Sequence, residues 1–270
     1  MPSHRSVSQY KDYVSCPQKY FLQRIERAWE RPAAWLPQGT AVHEAAEAWE
    51  RSERTMTLET AQQVFAEAYA REVNKLCEGS PNFRVWFRSG PYDGEQDVER
   101  RFLLGLEQIR RYVEYYMEKH PEEVIWITPE GTLAIELKFE ANFGGVDVRG
   151  YIDQVTTVAS DVASGLSRMD TALTVRDIKS GNTPGDDFQL ATYARALEQQ
   201  YDVEISFGDY WMGRSGKPTI PYALDYWTAE RLGDEYARVD EGIKGESFDP
   251  IPEMSKCRFC SVASACDFAA

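Results

Sequence analysis

Val175-Arg176-Asp177-Ile178-Lys179-Ser180-Gly181 reads as a strand that runs into a turn. Val175 and Ile178 are β-formers, and Ser180-Gly181-Asn182 supplies the stop. Alternation along a strand sets Asp177 and Lys179 on one face and turns Ile178 to the other. A carboxylate so placed can hold a hard divalent cation, and the ammonium beside it can meet a water or a phosphate oxygen. D-x-K also occurs widely as a solvated surface pair, so its weight depends on its neighbours.

Upstream, Val124–Ile127, Leu133–Phe139, Val146–Val158 and Thr171–Lys179 read as successive strands separated by turn residues, most simply an antiparallel meander. A polar hairpin loop at 159–168 joins the last two. Within the third strand, Gly150-Tyr151-Ile152-Asp153-Gln154-Val155 sets Asp153 between apolar residues, as a carboxylate on a buried strand would be. The hairpin brings Asp153 beside the strand of Asp177. Two carboxylates with a lysine make a site for Mg²⁺ or Mn²⁺, which prefer oxygen ligands and keep waters. Such an ion supplies a water of lowered pKa for phosphodiester hydrolysis, and Lys179 would orient that water or offset the developing negative charge. Residues 186–200 read as the next helix. Gln189 and Tyr193 stand four apart there and share a face, as they also would on an ordinary amphipathic helix. Strands at 203–212 and 219–224 and a polar helix at 228–244 follow.

The N-terminal third reads as helical. Residues 6–31 carry an apolar stripe of Tyr10, Tyr13, Val14, Tyr20, Phe21 and Ile25, capped by Ser6 or Ser8 and broken at Cys16-Pro17. Further helices are expected at 38–54, 57–78 and 95–119, the last ended by His120-Pro121. In the loop between them, 79–94, Phe83, Trp86 and Phe87 could stack on bases if exposed, but are expected to pack beneath the loop. His43-Glu44-Ala45-Ala46-Glu47 differs from the H-E-x-x-H zinc motif in its last ligand and is not read as one.

The 270 residues carry a formal net charge of −14, which opposes easy non-specific binding to DNA. Arg5, Lys11, Lys19, Arg24, Arg27 and Arg31 against Asp12, Glu26 and Glu30 still leave room for a basic path near the N-terminus. No long apolar run and no signal-peptide core is present, so a cytoplasmic protein is expected. Five cysteines in such a chain argue against a disulfide framework. Cys77 reads as a small buried hydrophobe.

Taken together, these segments resemble the RecB-type branch of the PD-(D/E)xK nuclease superfamily. The matching pieces are Gly39-Thr40-Ala41-Val42-His43, Gly150-Tyr151-Ile152-Asp153, Asp177-Ile178-Lys179 and Gln189-Leu190-Ala191-Thr192-Tyr193, in the family's order. The resemblance implies an α/β fold with a central mixed sheet flanked by helices, as in restriction endonucleases. It implies one nuclease domain over 1–270: a mainly helical part at 1–122, a catalytic sheet core at 123–226, and a helix with a cysteine tail at 227–270. It also implies that His43, Asp153, Asp177 and the Ile178 backbone carbonyl bind the metal. Lys179 would assist the attack, and Gln189 and Tyr193 would position phosphate or lysine. Glu136 and Glu140 are left outside the ligand set, as an outer shell at most.

Cys257, Cys260 and Cys266 have the spacing C-x₂-C-x₅-C, which lacks a fourth ligand. Ser8-Gln9-Tyr10 followed by Cys16-Pro17 resembles the N-terminal cysteine segment of iron–sulphur RecB-type nucleases. That group includes the CRISPR adaptation exonucleases of the Cas-four family and the AddAB-type nuclease subunits. The resemblance implies a [4Fe–4S] cluster on Cys16, Cys257, Cys260 and Cys266 that staples the chain ends. A Cys₄ zinc site needs the same ligands, and spacing alone leaves both open. The implied activity is a Mg²⁺- or Mn²⁺-dependent DNA exonuclease acting at ends or on single strands. Recombination, repair, phage DNA processing and CRISPR adaptation are its settings, with homo-oligomers or recombination and adaptation proteins as further partners. The alternative from another class is a non-catalytic DNA- or partner-binding protein on a degenerate nuclease fold.

Overall fold

A computed structural model describes residues 4–158 and 172–270. The loop expected at 159–168 and the first residue of the strand expected from Thr171 lie outside the described residues. The chain divides into two units. One takes the chain up to Pro32, Glu140–Gly150 and Trp227–Ala270; the other takes Ala33–Phe139 and Tyr151–Tyr226.

In the second unit, α3 (Trp35–Arg51), α4 (Leu58–Gly79) and α5 (Gly94–Glu114) form the helical layer. Thr57 caps α4, and Asp93 with Gln96 makes a reciprocal capping box at the start of α5. Ala41, Ala45, Trp49, Phe65, Tyr112 and Tyr116 share one core with Ile178 and Trp211 from the sheet. Gly105 on α5 lies against the Phe65 ring of α4, and a Cβ there would stand 1.9 Å from Cζ. Trp86 and Phe87 are buried, so the loop aromatics pack inward as expected. Cys77 joins the edge of this core.

The described strands are β1 (Glu123–Ile125), β2 (Ile135–Phe143), β3 (Val146–Val158), β4 (Thr174–Lys179), β5 (Phe207–Met212), β6 (Lys217–Pro218) and β7 (Tyr222–Ala223). The sheet order is β1-β3-β4-β5-β6, with β2 also on β3 and β7 also on β5. This corrects the simple meander. The three-residue β1 pairs with the far end of β3, Glu123 opposite Val158, and meets the chain leading into β2 only at the isolated bridge Ile127–Leu133. The thirteen residues of β3 are long enough to serve both neighbours. β3 and β4 are antiparallel, with Gln154 opposite Arg176. β4 and β5 are parallel, with Arg176 opposite Asp209, and α6 (Asp187–Tyr201) makes the crossover such a pair needs. The sheet is therefore mixed and flanked by helices, as expected. No helix among the described residues is long and apolar enough to cross a membrane.

In the first unit, Ser6 caps α1 (Val7–Ser15), and α2 (Pro17–Tyr20) begins at the proline after Cys16. The expected helix over 6–31 ends earlier, in a π turn at Phe21–Ile25; Arg27 then adopts φ +53°, outside any helix. Val14 is 41% exposed rather than buried, since it lies about 100° round α1 from the buried Tyr13. Tyr10 donates to Glu235 at 2.8 Å on α7 (Ala229–Lys244), and Tyr13 donates to the Ser247 carbonyl at 2.7 Å. The tail ends in a short α8 (Met254–Cys257).

The expected basic N-terminal path is weakened by this packing. Arg5 is buried and pairs with Asp240 at 2.7 Å, while Lys19 and Arg24 both pair with Asp12 at 2.8 Å. These three cations are engaged within their own unit.

Candidate active site

Asp177 and Lys179 leave β4 on the same face, with the Lys179 ammonium 2.7 Å from Asp177 Oδ2. Asp177 is 3% exposed. Its Oδ1 accepts from the Gln189 amide, which also donates to the Tyr193 hydroxyl at 2.9 Å. Its Oδ2 is buried and, beyond the ionic pairing with Lys179, takes no well-directed hydrogen bond. The Lys179 ammonium lies 5.4 Å from the centre of the Tyr210 ring. Tyr210 in turn donates to the Asp186 carbonyl at 2.6 Å; Asp186 is the N-cap of α6.

On the neighbouring strand, Asp153 Oδ2 accepts from the Ile178 N–H at 2.7 Å and stands 3.3 Å from His43 Nδ1. The other ring nitrogen of His43, Nε2, is 2.8 Å from the Ile178 carbonyl oxygen. Glu136 Oε1 lies 3.6 Å from His43 Nδ1. Among the described residues, His43, Glu136 and Asp153 are the only His, Cys, Asp or Glu group of three or more whose donor atoms all lie within 4.8 Å of one another.

Sequence reasoning set Glu136 aside, and the structure brings it into the cluster. Glu136 has φ +44°, a conformation a non-glycine residue adopts at some cost. Burial alternates through this stretch, and Glu136 lies on the face opposite the buried Ile135 and Leu137. Arg51 of α3 donates to the Ile135 carbonyl at 3.1 Å and fixes the chain just before it. Glu140 lies outside this group.

The electrostatics follow from crowding. Burial lowers the affinity of His43 for a proton, but Asp153, Glu136 and Asp177 overcome it and raise the imidazole to about 9. Asp153 is pushed up to about 7, chiefly by burial and by Asp177, against the opposing pull of His43 and the Ile178 N–H. Three acids and one imidazole with too little positive charge are a donor set that suits a divalent cation, as does the undirected oxygen of Asp177. A cavity of about 560 Å³ lined by Gly39, Thr40, His43, Glu44, Glu47 and Glu136 opens onto this cluster.

The four expected cluster cysteines lie together in the first unit. Cys16, Cys257, Cys260 and Cys266 line one cavity of about 160 Å³, with Leu22 and Val262 among its apolar walls. The Ile251 N–H donates to Cys16 Sγ at 3.5 Å. The Cys260 thiol is raised by burial, with Cys16 and Cys266 adding to the shift and Lys19 opposing it. No three of the thiols come within 4.8 Å of one another.

A half-buried histidine, acidic residues on adjacent strands and a lysine two residues beyond the second acid form a site that suits a metal-dependent nuclease. The chain belongs to the PD-(D/E)XK nuclease superfamily, whose family model matches residues 4–267. It is 48% identical to the Gene 69 protein of Mycobacterium phage D29, over 97% of this chain and 96% of that protein. It is 45% identical to the Gene 69 protein of Mycobacterium phage L5, over 97% of this chain and 95% of that protein.

Proposed function

We propose that this chain is a DNA exonuclease that acts at ends or on single strands in phage DNA metabolism. The observation that carries the reading is the convergence of His43, Glu136 and Asp153 beside the Asp177–Lys179 pair, all within one unit. The viral source of the relatives supports the setting.

His43, Asp153, Asp177 and the Ile178 carbonyl would hold Mg²⁺ or Mn²⁺, with Glu136 as a further acid at the site. Bound there, the cation supplies Lewis acidity toward phosphate and a water of lowered pKa. The chain's own residues do the rest. Lys179 places a fixed positive charge beside Asp177, where negative charge grows on the phosphate as the bond breaks. Gln189 holds Asp177 and the Tyr193 hydroxyl with one amide nitrogen, and so fixes the rotamer of the acid and the reach of the lysine. Gln189 and Tyr193 are positioning residues in this account.

The cysteine cavity supports a [4Fe–4S] cluster on Cys16, Cys257, Cys260 and Cys266. A tetrahedral zinc would draw thiolates to about 3.8 Å from one another. The four thiols line one cavity with apolar walls, and no three of them stand as close together as a tetrahedral zinc would hold them. Its part is structural, since hydrolysis transfers no electron.

The test is digestion of end-labelled linear and circular single-stranded DNA with Mg²⁺. The expected result is stepwise shortening of the linear strand and survival of the circle. Cleavage of the circle at the same rate would overturn exonuclease action, and no cleavage of either would overturn the nuclease reading.

A further inference from the structure

A second cavity, of about 420 Å³, lies in the same unit as the acidic cluster and has the opposite character. Arg100, Arg101 and Arg214 line it, together with Trp35 and the Ser180–Asn182 turn that follows β4, and no carboxylate does. The two arginines of α5 are fixed from below by Asp97, which is fully buried: Arg100 Nε donates to it at 2.9 Å and Arg101 Nε at 3.3 Å. Arg101 also donates to Gln38 at 2.8 Å, and Gln38 donates to Gln108, whose amide donates to the Ser180 carbonyl at 2.8 Å. Arg214 donates to Asn182 from the opposite wall. The guanidinium groups are thus held in place, and three positive charges meet one carboxylate, leaving an excess of two. Burial and the neighbouring Arg100 and Arg214 work against the charge on Arg101, as expected where cations are crowded without enough counter-charge.

The position relates the cavity to the acidic cluster. Trp35 and His43 lie on one helix, eight residues apart, which is about 12 Å along its axis. Gly39, between them, borders the acidic cavity and faces the Ser180 side chain of the basic one. That separation corresponds to a few nucleotides of strand. Trp35 adds a half-buried aromatic ring beside the cations, as single-strand binding sites use for base stacking.

We infer that Arg100, Arg101 and Arg214 form an anion subsite for a phosphate of the substrate strand, a few nucleotides from the scissile bond, with Trp35 as a stacking platform. The inference rests on the nuclease reading for the identity of the anion. The excess of two positive charges matches a terminal phosphate, which carries nearly two negative charges at neutral pH, better than an internal diester, which carries one. Bidentate guanidinium groups recognise either.

The experiment is equilibrium binding of fluorescent oligonucleotides by the full chain in EDTA, so that chemistry does not intervene. The strands are linear with a 5′-phosphate, with a 5′-hydroxyl or with a 3′-phosphate, and circular. Arg214→Gln and Arg101→Gln are compared with Lys75→Gln, a charge-matched change on the exposed side of α4. Arg214 is exposed, so its variant keeps the test open if Arg101→Gln fails to fold. The expected result is about tenfold weaker binding and a salt-dependence slope smaller by about 0.7 for each lost phosphate contact, with Lys75→Gln unchanged. A loss confined to one phosphorylated end identifies the terminal group; an equal loss on all four strands identifies an internal phosphate; both uphold the subsite. Wild-type affinity and slope in both arginine variants overturn it. Because cleavage plays no part, a failed nuclease assay and a failed subsite are told apart.

Discussion

His43 and Asp153 set the protein's response to pH. The imidazole is raised from 6.5 to about 9, so the stability it contributes is complete below 6.5 and is lost as pH rises through 9. Asp153 is raised from 3.8 to about 7, so the folded form holds a proton that the unfolded chain has released, and stability falls as pH rises across that window. Both signs agree. The thermal midpoint in EDTA is expected to fall from pH 6 to pH 9, and saturating Mg²⁺ should flatten the fall, because metal ligands must be deprotonated. A midpoint in EDTA that is level across this range would contradict the account. Glu136→Gln should weaken the apparent Mn²⁺ affinity about 10–100-fold, read from cleavage rate against metal concentration, with the saturated rate largely kept. Asp153, Asp177 and Lys179 were legible because strand alternation and apolar flanks mark them. Glu136 was not, because alternation with the buried Ile135 and Leu137 marks it only as an outward-facing strand residue.

The elements are held by contacts that the sequence signals only weakly. Arg176, one residue before Asp177, is fully buried between β4 and β5 and grips Asp209 with two hydrogen bonds, at 2.6 and 2.7 Å. It also donates to the Tyr116 hydroxyl at 2.7 Å and to Glu123. Asp209→Asn removes one charge and leaves the guanidinium under-compensated, so it should cost about 3–5 kcal/mol, measured as a lower urea midpoint. In the other unit, the turn between β2 and β3 meets α7 backbone to backbone: a Cβ on Gly233 would stand 2.8 Å from the Gly144 nitrogen. Gly233→Ala should therefore cost about 1–3 kcal/mol, seen as a lower thermal midpoint. Helix spans were legible from periodicity and caps. The β1–β3 pairing was not, because a three-residue strand carries no pattern that specifies its neighbour.

At the scale of the whole molecule, a net charge of −14 sits with two local exceptions: the basic cavity beside the β4 turn and the cation the acidic cluster would take. The charge total was legible at once; its division was not, since Arg100, Arg101 and Arg214 come from α5 and the turn after β5, more than a hundred residues apart. The gathering of the four cysteines was legible only through resemblance, because Cys16 and Cys257 are separated by most of the chain. Anaerobically purified protein should be brown with a broad absorption band near about 400 nm, and Cys16→Ala should lose it; a colourless protein carrying one zinc would refute the cluster. The most direct measurement of the central claim is cleavage of end-labelled single-stranded DNA by wild type, Asp177→Ala and Lys179→Ala, with Mg²⁺ added, chelated and restored. The account predicts that wild-type cleavage stops and resumes with the metal, while each variant is at least about 10²-fold slower with an unchanged circular dichroism spectrum. Metal-independent cleavage, or wild-type rates in both variants, would contradict it.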